Sequence, residues 1–478
     1  MGPMRRGPVR RATAVMAAWG PEERDAVLYS ASALFAIGTA QWASIPLYQQ
    51  WGRLAVGPYA AGAVASALTA RHAARRAGRA AVAAQAEGRP VPVAGDADGG
   101  PGPRWHWTTP RALILLVVLL GATLVPLSLE VLWRADGGGA TNVQPEVPVV
   151  ERSGTAFVHG KDPYQDISAH ARVVLPAGQP AYEAYNPYLP LMALFGGPRS
   201  THAPARLTDA RVVFEVFTIV VVVVAMALCR GPTGPRVLAL QSMTVLPTAA
   251  LPLATGGDDV PVAALLLLGL VLLQRRRPLW AGAVLGVAAS MKITAWPLAA
   301  LAFLVARDRD GQRGRRPSLM VLVGLLGVMI PAVLPTAAEN IPAFVDNVVR
   351  FPLGLAGVHS PAGSALLGHT LVSAFPAIRH VFPVAVAGAG GAVLCWVLAR
   401  RRPTTPAGLS SLIGWVMAVA ILLAPATRVG YLLYPIDLFV WAWLLRGEES
   451  VEERPTALVG AGVGGGGAPR DEDGSVLV

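Results

Sequence analysis

The sequence contains very little lysine, cysteine or charge. Among its 478 residues, Lys161 and Lys292 are the only lysines, two residues are cysteine and 14% are charged. Each cysteine precedes arginines at the end of a separate apolar run, so no disulfide framework is implied. A short apolar core with a small-residue cleavage site is also missing after the basic N-terminus. We therefore predict a cytoplasmic tail over residues 1–25 and no signal peptide.

Apolar residues are abundant instead and make up 53% of the sequence. They form uninterrupted runs such as 112–125, 212–228 and 260–273. Only a segment that satisfies its own backbone hydrogen bonds can lie in lipid, so these runs predict an all-α polytopic membrane protein. We expect it in the plasma (cell) membrane, in contact with membrane lipids and with both termini in the cytoplasm.

The formal net charge of +11 comes largely from arginine clusters between the apolar runs. A nucleic-acid-binding surface would gather basic and aromatic residues on one face, so we expect no nucleic-acid partner. Arginine-rich connections stay in the cytoplasm, and on that rule the chain has about 11–12 membrane segments, counting a short hairpin. The predicted regions are two N-terminal transmembrane helices within 26–70, a basic cytoplasmic linker over 71–111, a transmembrane core over 112–445 with external loops at 134–211 and 335–380, and an unstructured cytoplasmic tail over 446–478.

Residues 279–305 carry arginine clusters on both sides, which places both ends of this segment in the cytoplasm. One crossing takes about 20 residues, so the segment is too short to cross twice. We favour two short half-helices that turn back near Lys292. A single tilted span is the alternative, and it would invert the topology of everything downstream.

A polar stretch in the first external loop runs from Glu146 through Gly160 to the turn Asp162, Pro163 and Tyr164. This order resembles the first external loop of glycosyltransferase family 87, which carries an acid, an amphipathic helix and then a Gly-Asp-Pro-Tyr-like turn.

The resemblance continues downstream and covers about 112–445. Residues 185–195 (YNPYLPLMALF) look like the family's Tyr-Pro-Pro segment, and residues 275–298 are similar to a basic-flanked hairpin that contains a lysine. It implies a GT-C membrane glycosyltransferase with amphipathic helices in a large first external loop. Such a hexosyltransferase moves a sugar, here mannose, from a polyprenyl-phosphate carrier to a lipid or glycan acceptor on the outer face, with inversion.

The resemblance also implies that an acid of the first external loop is the catalytic general base. Glu146 matches it by position, although this chain has Glu where the family has Asp. A carboxylate within hydrogen-bond reach of a hydroxyl is the minimal base, and a phosphate leaving group requires no protonation. The longer side chain moves the carboxylate by about one C–C bond, a distance that matters to catalysis.

Lys292 and Arg428 are the candidates for binding the donor phosphate. A cation near membrane depth is costly and seldom lacks a function. An arginine can bind phosphate in a bidentate way, whereas a lysine acts as a point charge. An interfacial anchor is the alternative role for Arg428.

Further acids and histidines are candidates for binding the acceptor or the sugar. Asp162 and Tyr164 have as their alternative a plain turn in which Asp162 accepts a local amide. Asp258 and Asp259 start a helix, where carboxylates also serve as caps. Two adjacent acids are a weak signal for a divalent cation, so we expect no metal or other cofactor.

Two smaller expectations concern loop side chains. His359 and His369 lie in the second external loop and either bind sugar or phosphate or are simply solvated. Glu151 and Arg152 could pair on the outer face of a short helix.

The main competing function is a multi-spanning transporter or flippase of envelope lipid or glycan precursors. It would need ionisable residues within the spans, whereas the acids concentrate in the external loops. A scaffold is a third class, and either competitor should tolerate Glu146→Gln. The sequence has no Gly-rich phosphate loop after a strand, which favours a lipid-linked donor over a nucleotide sugar.

Overall fold

The computed structural model describes residues 19–88, 109–138, 142–164, 181–230, 232–308, 310–358, 363–379, 381–425 and 427–461, with the side chains given up to 449. Across these residues the regular elements are all helical and there is no strand. Seven helices in this part of the chain are long and apolar enough to cross a membrane. The predicted fold class, an all-α polytopic membrane protein, is confirmed.

In chain order the main helices are α1 (Pro21–Trp42), α2 (Pro46–Ala86), α3 (Pro110–Gly137), α4 (Glu146–Val158), α5 (Ala210–Leu228), α6 (Thr233–Thr255), α7 (Asp259–Gln274), α8 (Pro278–Ala289), α9 (Ile293–Val305), α10 (Arg315–Glu339), α11 (Leu367–Ala374), α12 (Val381–Arg400), α13 (Pro406–Leu423) and α14 (Leu433–Ala461). The seven candidate spans are α3, α5, α6, α10, α12, α13 and the segment Val429–Glu449. Helices α7, α8 and α9 are apolar but shorter.

Helix α7 is the centre of the bundle, because nearly all of its residues are buried. A helix that is apolar on every side can be buried on every side, and the run of leucine and valine from Val260 to Leu273 has that character. Helices α5, α8, α13 and α14 surround it. Its first residue, Asp259, therefore lies at one end of the protein core.

Helix α2 packs on α3 and α6 and donates side-chain hydrogen bonds to backbone carbonyls of both. Pro126 has no amide to offer the carbonyl of Ala122, and Trp51 Nε1 donates to that carbonyl at 2.9 Å. At the break inside α6, Tyr59 donates its hydroxyl to the carbonyl of Val245. Neither α1 nor α2 is among the apolar candidate spans.

Residues 278–305 fold as a hairpin, as favoured above. Gly282 in α8 lies against the backbone of Val321, and Gly286 lies against Leu325, so α8 runs parallel to α10. After the turn at Lys292 the chain returns, and the carbonyl of Phe303 accepts a hydrogen bond from Ser318 in the first turn of α10 at 2.9 Å. Both ends of the hairpin thus lie near the start of α10, and the single tilted span is wrong.

Two helices extend into segments that were predicted as a linker and as an unstructured tail. Helix α2 continues to Ala86, well into the predicted linker, because alanine and arginine are strong helix formers. Helix α14 continues to Ala461, so the prediction of an unstructured tail is wrong for residues 446–461. The buried Glu448 stabilises that extension by accepting hydrogen bonds from the amide of Arg230 at 2.8 Å and from Arg275 at 2.6 Å.

Candidate functional site

Lys292, at the turn of the hairpin, forms ion pairs with both acids at the start of α7. Its Nζ lies 3.0 Å from Asp258 Oδ1 and 2.6 Å from Asp259 Oδ1. All three side chains are nearly excluded from solvent, with Lys292 only 8% exposed. Burial opposes the lysine charge, but the two carboxylates outweigh it and raise the pKa of Lys292 above its usual range. The ammonium charge is already compensated within the protein.

Three tyrosines complete the surroundings of Lys292. The rings of Tyr188 and Tyr431 lie with their centroids 5.5 Å and 5.7 Å from Lys292 Nζ, within the range of cation–π attraction. Tyr434 donates its hydroxyl to Asp259 Oδ1 at 2.7 Å. Burial raises the pKa of Tyr188 well above its usual value, with further contributions from Asp258 and other neighbours. These rings are neutral and apolar-faced, a surface suited to a sugar ring.

Glu146 and Arg428 form a second ion pair, between Arg428 Nη1 and Glu146 Oε1. Burial alone would lower the pKa of Arg428, but Glu146, with smaller contributions from Tyr431 and Tyr48, raises that pKa above its usual value. The second oxygen, Glu146 Oε2, is buried and has no hydrogen-bond partner in the described part of the chain. Arg428 thus neutralises the charge of the predicted base.

The two ion pairs belong to one electrostatic cluster. Glu146 interacts electrostatically with Asp258, and Tyr431 interacts electrostatically with both Lys292 and Arg428. Five of the predicted site residues are therefore brought together by helices from distant parts of the sequence: Glu146, Asp258, Asp259, Lys292 and Arg428. This cluster lies at the end of α7 opposite Arg275, about 24 Å away for a helix of 16 residues.

Helix α4, which begins at Glu146, is held by buried ion pairs. Arg134 at the end of α3 contacts Glu151 Oε2 and Asp209 Oδ2, both at 2.7 Å. The expected pair of Glu151 with Arg152 is wrong, because Glu151 faces inward to Arg134 while Arg152 donates to the carbonyl of Glu183. These contacts fix the axis of the helix whose first residue is the predicted base.

A close backbone contact fixes the other side of α4. Gly154 lies against the 3₁₀ segment Pro190–Ser200, where a Cβ on Gly154 would come within 2.2 Å of the carbonyl carbon of Gly196. Only glycine permits helices to approach this closely. The carbonyl of Met291, beside Lys292, accepts a hydrogen bond from Leu189 at 2.9 Å, so the same loop supports both α4 and the hairpin turn.

The turn after α4 is structural. The amide of Tyr164 donates to Asp162 Oδ1 at 2.8 Å, which confirms the turn interpretation of Asp162. Burial raises the pKa of Asp162. The Tyr164 hydroxyl donates to the carbonyl of Tyr188 at 2.9 Å, so this residue supports the wall beside Lys292 and its hydroxyl is engaged within the protein.

The remaining predicted residues fall outside this cluster or play another role. His359 lies outside the described residues, and His369 Nδ1 is 3.0 Å from the carbonyl of Pro425. Asp258 occupies the N-cap position of α7, yet its carboxylate caps no amide and pairs with Lys292, so the capping interpretation is wrong. Among the described residues, no group of three or more His, Cys, Asp or Glu side chains could hold a metal ion.

Sequence reasoning missed the tyrosines and the acids within the spans. Tyr431 and Tyr434 follow Arg428 at helical spacing, a signal that could have found them, whereas nothing marked Tyr48. Burial raises the pKa of Tyr48 to about 12, with the next largest contribution from Glu146, so the start of α2 reaches the site.

The expectation that the acids concentrate in the external loops is also wrong. Glu130, Glu215 and Asp437 lie inside α3, α5 and α14 and are buried. Carboxylate oxygens on all three have no hydrogen-bond partner in the described part of the protein. The distribution of acids therefore does not distinguish a transferase from a transporter.

The family model of glycosyltransferase family 87 matches residues 186–425, which is half of the chain. The chain belongs to this family. No curated protein and no solved structure matches it. As a member of glycosyltransferase family 87 it is a membrane glycosyltransferase, which acts on a sugar donor and an acceptor in a lipid environment. The matched segment of this family 87 chain contains Asp258, Asp259 and Lys292, while Glu146 and Arg428 flank it on either side.

Proposed function

We propose that this glycosyltransferase moves a hexose from a polyprenyl-phosphate carrier to a lipid or glycan acceptor on the extracytoplasmic face, with inversion. The observation that carries the proposal is the meeting of Glu146, a carboxylate with one unpartnered oxygen, and Arg428, a phosphate-binding type of side chain. An acid and a guanidinium at one partly exposed position supply a base for the acceptor and a ligand for the leaving phosphate.

In this proposal Glu146 is the general base. It removes the proton of the acceptor hydroxyl as that oxygen attacks the anomeric carbon, and the bond from that carbon to the carrier phosphate breaks. Arg428 binds the phosphate, whose negative charge grows as it leaves. Inversion follows from a single displacement, and no metal is required.

In this proposal Lys292 has a positioning role and is not the main ligand of the donor phosphate. Its ammonium group holds Asp258 and Asp259 in place, and Asp258 Oδ2 is buried without a hydrogen-bond partner in the described structure. We assign these two carboxylates to sugar or acceptor hydroxyls, with the rings of Tyr188 and Tyr431 beside them. The role of Lys292 is therefore to orient both acids, and Arg428 is the cation assigned to the donor phosphate.

The extracytoplasmic position of the reaction is supported by charge. The cluster lies at the end of α7 away from Arg275, Arg276 and Arg277, and arginine clusters stay on the cytoplasmic side. On that rule the site faces outward and the termini face the cytoplasm of a cell bounded by the plasma membrane.

The test is release of carrier phosphate by the purified full chain from a panel of polyprenyl-phosphate sugars, with mannose first. Glu146→Gln should lower turnover by about 10²–10⁴, the usual contribution of a general base, and should retain donor binding. Glu183→Gln is the matched control, since Glu183 is a neighbouring acid outside the ion pairs with Arg428 and Lys292. Absence of release with every donor would overturn the proposal.

A flippase of envelope lipid precursors is the second candidate, favoured by the buried carboxylates of Glu130, Glu215 and Asp437 within the spans. Release of carrier phosphate distinguishes the two functions, because only the transferase produces it. A flippase moves the intact lipid across a vesicle membrane without releasing carrier phosphate, and Glu146→Gln should leave that movement unchanged.

A further inference from the structure

Arg428 is committed to Glu146 in this ligand-free structure. The two residues are 282 positions apart, one at the first position of α4 and the other in the loop before the 3₁₀ turn Val429–Leu432. The Arg428 side chain is 25% exposed and that of Glu146 is 13% exposed, more than the side chains of Lys292 and Asp258. The pair is thus the part of the cluster that an incoming ligand reaches first.

The ion pair between Arg428 and Glu146 conflicts with the proposed reaction, which requires both a free carboxylate and a free guanidinium. A carboxylate oxygen that accepts a hydrogen bond from a guanidinium is less available to accept the proton of a hydroxyl. A guanidinium that is bound to a carboxylate must leave it, at least in part, to bind a phosphate with both arms of its fork. One arginine therefore cannot serve Glu146 and the donor phosphate fully at the same time.

Other groups near the pair do not replace Arg428 as the partner of Glu146. Lys292 is engaged by Asp258 and Asp259, and Tyr48 and Tyr431 are neutral when protonated. Displacement of Arg428 would leave Glu146 as an acid without a bound cation, close to the place where the acceptor hydroxyl has to arrive.

We propose that the donor phosphate and Glu146 compete for Arg428, so that donor binding releases the base for the acceptor. This inference rests on the proposed function and adds an order to it: the donor binds first, Arg428 moves from carboxylate to phosphate, and the acceptor hydroxyl then takes the vacated position at Glu146. Without a donor the pair holds Glu146 inactive.

If Glu146 and the donor phosphate compete for Arg428, removal of Glu146 should increase the affinity for the donor. We expect Glu146→Gln to bind polyprenyl phosphate about threefold to tenfold more tightly than the unmodified chain, the scale of a partly exposed ion pair. Arg428→Gln should bind it more weakly, and the gain from Glu146→Gln should disappear in the double variant. The measurement is equilibrium binding of polyprenyl phosphate to the full chain in lipid nanodiscs, with polyprenol, which lacks the phosphate, as the control ligand.

Three outcomes would overturn the inference while leaving the proposed function in place. They are unchanged or weaker binding by Glu146→Gln, an equal gain in the Arg428→Gln background, and an equal gain from Glu183→Gln, since the last two indicate a general effect of negative charge. Glu146→Ala has the same expected sign and replaces Glu146→Gln if that variant does not elute as a folded protein. If no form binds polyprenyl phosphate, the proposed function fails and the inference fails with it.

Discussion

Replacement of Lys292 by methionine should destabilise the protein strongly, before any effect on catalysis is considered. Methionine keeps most of the length and the apolar stem, but it leaves Asp258 and Asp259 facing each other in a site that is almost closed to solvent. Loss of one partner from a buried ion pair costs about 3–5 kcal/mol, because an uncompensated charge remains. Here two carboxylates lose their partner.

This cost converts to a measurable shift in melting temperature. A domain of 150–250 residues loses about 2–4 °C per kcal/mol, and the shift shrinks with chain length, so we expect about 5–10 °C for Lys292→Met. The assay is thermal unfolding of the purified protein in detergent, followed by intrinsic fluorescence. Its control is Arg350→Met, which breaks an ion pair of 2.7 Å with Asp346 whose arginine side chain is 59% exposed. Exposed pairs contribute about 0–1 kcal/mol, so this control should melt nearly as the unmodified chain does.

A compensating variant sharpens the test. Addition of Asp258→Asn and Asp259→Asn to Lys292→Met removes all three charges, and neutral replacements of a buried ion cluster are often tolerated. The triple variant should regain much of the lost melting temperature. The reasoning is refuted if Lys292→Met melts within about 2 °C of the unmodified chain, or if the triple variant is less stable than Lys292→Met.

Two further predictions concern the support of α4. Gly154→Ala should lower both melting temperature and turnover, by about 1–3 kcal/mol in stability, because its Cβ would meet backbone atoms that cannot rotate away. A Cβ on Gly78, in the exposed part of α2, would meet no atom within 4 Å, so Gly78→Ala should be neutral or slightly stabilising, and equal losses in both variants would contradict this. Arg134→Met should cost about 1.5–3 kcal/mol, the scale of hydrogen bonds to charged groups, because Glu151 loses its main partner while Asp209 keeps its ion pair with Arg211. Thermal unfolding with a turnover assay would measure it. Unchanged stability would show that the other contacts of α4 suffice.

The sequence was enough to predict the helical membrane fold and the hairpin, because both depend on local quantities. Apolar run length decides whether a segment can span lipid, and arginines on both sides of 279–305 decide that this segment returns. Helix ends were harder. Beyond residue 445, helix α14 places Glu448 against Arg275, which is 173 positions away, and no local pattern records such a pair.

The candidate site was predictable as a set of residue types but not as a set of partners. Lys292 stood out because lysine is so rare in this chain, and Glu146 stood out through the family resemblance. Neither feature indicated that Lys292 would meet two acids, or that Glu146 would meet Arg428. Those pairings depend on how α4, α7 and the loop before α14 converge, which is a property of packing across the whole bundle.

The contacts of α2 give the N-terminal region a role that sequence comparison would overlook. Trp51 and Tyr59 supply donors to the carbonyls of Ala122 and Val245, where a soluble protein would use water. In lipid no water is available, and an unsatisfied carbonyl costs several kcal/mol. A shortened chain that keeps only the part resembling other transferases would thus lose these two hydrogen-bond donors along with its first two helices.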